Sequence, residues 1–243
     1  MTSRPSIGDV TNRVRSAGRE SLPCCAVHLN ICRHMAATVM EAAGYLGGMI
    51  GQCCYDQKVS CSKIRALEYL GDILCHWTLE EFCDKSATAL EQGGVFRTLL
   101  LQEEVLDHID GTAARIVLYK IPDPIPGICG LIVILVEQTQ LMYGMYGDPY
   151  DVEMIVASRD KVERAIWQAR RLLQESSPIL QTLRTSREPI RQKDLLYSLY
   201  AAIRKASNAC TMSSALLRHA SRVSLGSAYH QVKKRCRAEG GAA

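Results

Sequence analysis

Aromatic side chains are scarce in this chain, with two Phe and two Trp among 243 residues. Leu, Ile, Val, Ala, Met and Cys must therefore fill the interior, and platforms for stacking nucleic-acid bases are few. Long apolar runs are missing as well. The most apolar stretch, Ile128 to Val136, gives way at once to Glu137, Gln138 and Gln140, well short of the roughly 20 residues a bilayer requires. No apolar segment precedes residue 22, which argues against a secretory leader and for a cytoplasmic and/or nuclear protein. Catalytic signatures are absent: no phosphate-binding Gly-x-x-x-x-Gly-Lys loop, no Gly-x-Ser-x-Gly elbow, no His-Glu-x-x-His and no dinucleotide-type glycine fingerprint. His108 and Asp110 are two residues apart and point to different sides of a helix, so spacing does not pair them. These absences predict a non-enzyme that needs no cofactor. Sustained period-two alternation is also missing, which excludes a β architecture.

What remains is ordinary globular material, 47% apolar and 22% charged. Residues 1–22 are rich in Arg, Ser, Thr, Gly and Pro and poor in apolar side chains, the composition of a disordered tail. Residues 23–237 are long enough for one substantial core, and 238–243 read as a second short tail.

Helical spacing recurs through that domain. Val27, Ile31, Met35 and Val39 share a face before Gly44, Gly47 and Gly48. Ser62 reads as the cap of a helix running through Leu70 to Trp77, and Thr78 as the cap of another that ends at Gly93-Gly94. Leu99 to Val117 continue at the same period. Three prolines, Pro122, Pro124 and Pro126, force an extended lead-in to a central helix at Ile128 to Val136, apolar all round. Ile155, Val162, Ile166, Ala169 and Leu173 mark an amphipathic helix that stops before Ser177-Pro178. Leu195 to Cys210 and Leu216 to Val232 mark two more. The pattern predicts an all-α bundle of about eight helices.

Eight of the eleven cysteines lie between Cys24 and Cys83. Cys24, His28 and Cys32 fall at i, i+4 and i+8, so one helical face could present them to a zinc ion. The same spacing describes a buried stripe of small apolar side chains, and no Cys-x2-Cys knuckle accompanies it. The core reading is preferred, and no metal is expected.

Charge is polarised. Residues 80–110 carry eight acids against two bases, a balance of −6, whereas residues 184–237 carry twelve bases against two acids, a balance of +10. A basic patch at Arg218, Arg222, Lys233, Lys234, Arg235 and Arg237 suits acidic partners or nucleic acid, or is simply a solvated helix face. Base stacking needs aromatic platforms and this end offers only Tyr197, Tyr200 and Tyr229, which argues against sequence-specific single-strand recognition.

The N-terminal tail carries the most specific pattern. Arg4-Pro-Ser-Ile7-Gly8-Asp9-Val10-Thr-Asn12 resembles the destruction box of mitotic cyclins, Arg-x-x-Leu-Gly-Asp-(Ile/Val)-x-Asn, with Ile7 in place of Leu. The resemblance implies capture by the anaphase-promoting ubiquitin ligase, with Arg4 on an acidic surface, Ile7 in an apolar pocket and Asn12 supplying amide hydrogen bonds. The first lysine is Lys58, so ubiquitin would be attached on the folded domain, at Lys58, Lys63 or Lys85. In the body, Ile64-Arg65-Ala66-Leu67, Tyr150-x4-Ile155 and the stretch from Pro178 to Arg184 are similar to segments of the first cyclin box. That family has two repeats of about five helices, and its kinase-facing Lys and Glu would correspond to Lys120 and Glu163. The Asp-Trp expected after Arg65 is absent, since Asp72 and Trp77 stand five residues apart.

The expectation is a cell-cycle-phased regulatory protein, of which a diverged cyclin is one form, with a ubiquitin ligase and a kinase as partners and no transmembrane segment. Two alternatives remain open: a constitutive helical adaptor that binds acidic partners or nucleic acid through its basic end, and a membrane-active bundle.

Overall fold

A computed structural model describes residues 24–51, 53–84, 89–121, 124–147, 152–183 and 187–239, with side chains for 28–51, 53–80, 94–121, 124–147, 153–183 and 187–221. The described residues form six α-helices and no strand: α1 (Cys24–Gly48), α2 (Cys54–Asp84), α3 (Ala89–Tyr119), α4 (Pro126–Gly144), α5 (Val152–Gln181) and α6 (Glu188–Glu239). The all-helical expectation holds; the count of eight does not.

The discrepancy has local causes. Ser62 and Thr78, read as caps, sit inside α2, where their hydroxyls donate to Lys58 O (3.0 Å) and Leu74 O (2.7 Å) one turn back. A Ser or Thr satisfied in this way has no need to start a helix. Gly93 and Gly94 lie within α3, and the helix expected between Thr78 and Gly93 is divided between α2, described to Asp84, and α3, described from Ala89. α1 likewise runs through Gly44 and Gly47 to Gly48, and α5 passes Pro178 into its last turn. The two basic C-terminal helices are one.

α1, α3, α6 and α4 form a ring, each packed on its neighbours, with α2 laid outside against α1 and α3, and α5 outside against α4 and α6. The arrangement repeats itself: α1–α3 and α4–α6 are each a three-helix unit, joined where α1 meets α4 and α3 meets α6. Met35, Leu46, Leu106, Ile109, Leu131, Leu135 and Leu199 fill the ring and are fully buried. Polar groups cross it too. Gln102 of α3 donates to the Tyr146 hydroxyl (3.3 Å), which donates to Ser213 of α6 (2.8 Å). Gln138 of α4 donates to Ser207 of α6 (2.9 Å).

α4 begins at Pro126, where the missing N–H costs nothing. Its lead-in is held by the buried Ile125 N–H donating to Gln192 Oε1 at 2.9 Å. Ile128, Leu131, Ile132, Ile134 and Leu135 are buried as expected of a central helix, but burial is not all round, because Val133 is 55% exposed. On length and composition α4 passes as a membrane span, and half of its apolar window is buried inside the bundle.

Candidate functional site

The strongest electrostatic feature lies on the seam of α2 and α3. Helical spacing puts Glu68 and Asp72 one turn apart on α2, and Glu103, Asp107 and Asp110 on successive turns of α3. Burial and neighbouring carboxylates act together. Glu103 is raised to about 7, first by desolvation and then by Asp107 and Asp72. Glu68 and Asp107 are also raised, each chiefly by desolvation, with Asp72 the next cause. Asp107 as a neighbour favours the proton on Glu103, while protonated Glu103 partly offsets the rise of Asp107. The nearby Cys75 thiol is pushed to about 12 by burial and by Glu103, which makes it inert as a nucleophile. Arg65 offers one counter-charge, 3.4 Å from Asp110, whose other carboxylate oxygen is buried without a partner. The sequence tally of acids over 80–110 included Glu103, Asp107 and Asp110 but missed Glu68 and Asp72, which reach them from another helix.

A second surface runs along α5 and α6. Trp167 is 70% exposed, and the Arg170 guanidinium sits 5.8 Å from its ring. Arg170 also donates to the Tyr200 hydroxyl at 3.0 Å, while Lys193 lies 6.0 Å over the Tyr197 ring. Tyr197 and Tyr200 were legible as platforms; Trp167 was not, because only the fold sets α5 beside them.

Of the basic patch, Arg218 is described, half-buried on α6 with its Nε donating to Ser214 O at 3.3 Å. The side chains of Arg222, Lys233, Lys234, Arg235 and Arg237 lie outside the described residues, although their backbone belongs to α6. Arg4, Ile7, Gly8, Asp9 and Asn12 lie outside them altogether.

Among the described residues no group of three or more His, Cys, Asp or Glu side chains converges on a metal position. His28 and Cys32 are both buried, and the side chain of Cys24 is not described. The core reading of the cysteines suits Cys32 and Cys210, which are buried, but not Cys53 and Cys54, which are exposed at the start of α2. Cys53 there donates its thiol proton to Asp56 at 3.1 Å.

No protein-family model matches the chain, and no curated protein matches it in sequence. Solved structures do. The fold is similar to that of PhoU from Pseudomonas aeruginosa. The likeness covers 88% of this chain and 100% of that one with a TM-score of 0.51, at 14% sequence identity. At such low identity it bears on the fold, an all-helical bundle, and the residues of the acidic seam rest on their own geometry.

Proposed function

We propose that this protein is a non-enzymatic regulator that works by protein–protein contact and is removed through its N-terminal destruction box. The acidic seam is the observation that supports contact as its mode of action. Five carboxylates gather there on two helices, and Glu68, Glu103 and Asp107 are raised above their ordinary range, first by burial and then by their acidic neighbours, a repulsion that a cationic partner surface relieves. The cyclin part of the reading is confined to residues 4–12. Three plus three helices among the described residues do not match two sets of five, so kinase binding through Lys120 and Glu163 is the weaker branch of the proposal.

The test is capture from dividing cells with the full chain as bait. Ubiquitin-ligase subunits should be retained by the unaltered chain and lost with Arg4→Ala/Ile7→Ala. A separate protein partner should be lost with Glu103→Gln/Asp107→Asn while the ligase stays. Capture of the same proteins by all three baits would sink the proposal.

The constitutive-adaptor reading draws on a different observation, the Trp167, Arg170, Tyr200, Tyr197 and Lys193 surface, whose mix of rings and cations suits acidic partners. A flat abundance profile through a synchronised cell cycle would favour it. The membrane-active reading draws on the open flank of α4, where Gly47, Ile50, Cys129, Val133 and Val136 line a groove of about 320 Å³. Liposome leakage would favour that one.

A further inference from the structure

Between α5 and α6, beside the end of α4, lies a cavity of about 140 Å³. Drug-sized ligands occupy pockets of about 300 Å³ and upward, so this one suits an ion with a few waters. Arg159 of α5 and Arg218 of α6 converge on it, and no carboxylate lines it. Each guanidinium is steadied by its Nε, Arg159 on Glu163 Oε1 (3.4 Å) and Arg218 on the Ser214 carbonyl (3.3 Å), which leaves the terminal N–H groups for a ligand.

The hydroxyls in the cavity divide into used and unused donors. Ser158 donates to Met154 O and Thr211 to Ser207 O. The thiol of Cys210 is directed to Gln138 O. Ser214 is different: it lines the cavity, is 5% exposed, and its hydroxyl makes no hydrogen bond among the described residues. An unused donor at the wall of a cavity that two guanidinium groups also line is free to bind an acceptor.

We infer that this cavity binds a small tetrahedral oxyanion of the phosphate class, held by Arg159, Arg218 and the Ser214 hydroxyl. Three donors from two helices fit an ion with oxygens in several directions, and the apolar wall of Met145 and Val162 excludes competing water on the far side. The ion is either free phosphate or the terminal phosphate of a small monoester.

Calorimetric titration of the full chain at constant ionic strength, with inorganic phosphate in one arm and glycerol phosphate in the other, tests this. One saturable site should appear. Ser214→Ala, which leaves the charge unchanged, should weaken it at least about tenfold, the effect of one hydrogen bond to a charged group. Arg218→Ala should abolish it. Arg171→Ala removes an equal charge from the exposed pair with Glu175, away from the cavity, and should change nothing. Tighter binding of phosphate identifies the free ion, tighter binding of glycerol phosphate the monoester, and either supports the class. Lack of saturation in both arms, or equal weakening by Arg171→Ala and Arg218→Ala, would overturn it.

Discussion

Gly127 and Gly130 let α4 approach α5 where a methyl group would collide. A Cβ at Gly127 would fall 1.9 Å from Ser176 Oγ and 3.5 Å from the Leu172 carbonyl oxygen, whereas one at Gly130 would meet the flexible end of Leu172 at 2.7 Å. Alanine is the better helix former by about 1 kcal/mol, but overpacking costs about 1 to 3 kcal/mol. Gly127→Ala should therefore lower the denaturation midpoint clearly and Gly130→Ala little, because Leu172 can turn aside. Adding Ser176→Ala to Gly127→Ala should restore part of the loss; chemical denaturation of the four proteins completes the cycle. Glu103 makes a prediction of opposite sign from the usual carboxylate. Its pKa is raised on folding, so the folded state holds the proton more tightly than the unfolded state. The stability this contributes is present below pH 4.5 and is lost as pH rises through about 7. Glu103→Gln should accordingly raise the melting temperature at pH 8 and do little at pH 4. With solvent screening allowed for, the gain is about 1 kcal/mol. A larger gain at pH 4 than at pH 8 would show that the α2–α3 carboxylates do not repel as described.

Element by element, the apolar spacings were legible and the boundaries were not. Ile31, Met35 and Val39 of α1 and Ile155, Val162 and Ala169 of α5 are buried as their spacing required. Glycine pairs and lone hydroxyls misled, because a glycine inside a helix costs only about 1 kcal/mol, and packing across a ring of four helices outweighs that. Gly71 shows the gain: a Cβ there would meet Leu106 Cδ1 at 2.6 Å, so its absence lets α2 close onto α3. In α4 the run of apolar residues suggested burial all round, yet the helix lies in the ring with one flank open, and only the fold tells Val133 from Leu135. That contrast is testable. Leu135→Asp places a charge where exposure is 0%, at a cost of several kcal/mol against a typical total of about 5 to 15, and should unfold the domain. Val133→Asp, at 55% exposure, should leave helical circular dichroism and melting within about 0.5 kcal/mol of the unaltered protein. A soluble, fully helical Leu135→Asp protein with an unchanged midpoint would remove α4 from the core.

For the whole molecule, sites assembled from two helices were invisible to a reading that moves along one chain. Glu68 and Asp72 find Glu103 and Asp107, Trp167 finds Tyr200, and Arg159 finds Arg218 only through antiparallel packing, so neither charge tallies nor motif spacing pairs them. A linear motif behaves oppositely, because all of its information lies within nine residues and requires no partner helix. Such a motif should be separable from the fold. The described bundle begins at Cys24, with Ile31, Cys32 and Met35 the first core apolar side chains among the described residues, and residues 4–12 lie outside the described residues. Arg4→Ala/Ile7→Ala should therefore lengthen the half-life of the protein in late mitosis several-fold while leaving its melting temperature unchanged. The acceptors of ubiquitin should lie on the bundle: Lys58 and Lys63 are exposed on α2, and the ammonium of Lys63 lies 4.9 Å from the Tyr45 ring. Lys58→Arg/Lys63→Arg should slow removal less than the tail variant does, because Lys85 remains as a third acceptor. A half-life that ignores Arg4 and Ile7, measured after release from a mitotic arrest, would end the cell-cycle reading and leave the constitutive adaptor in its place.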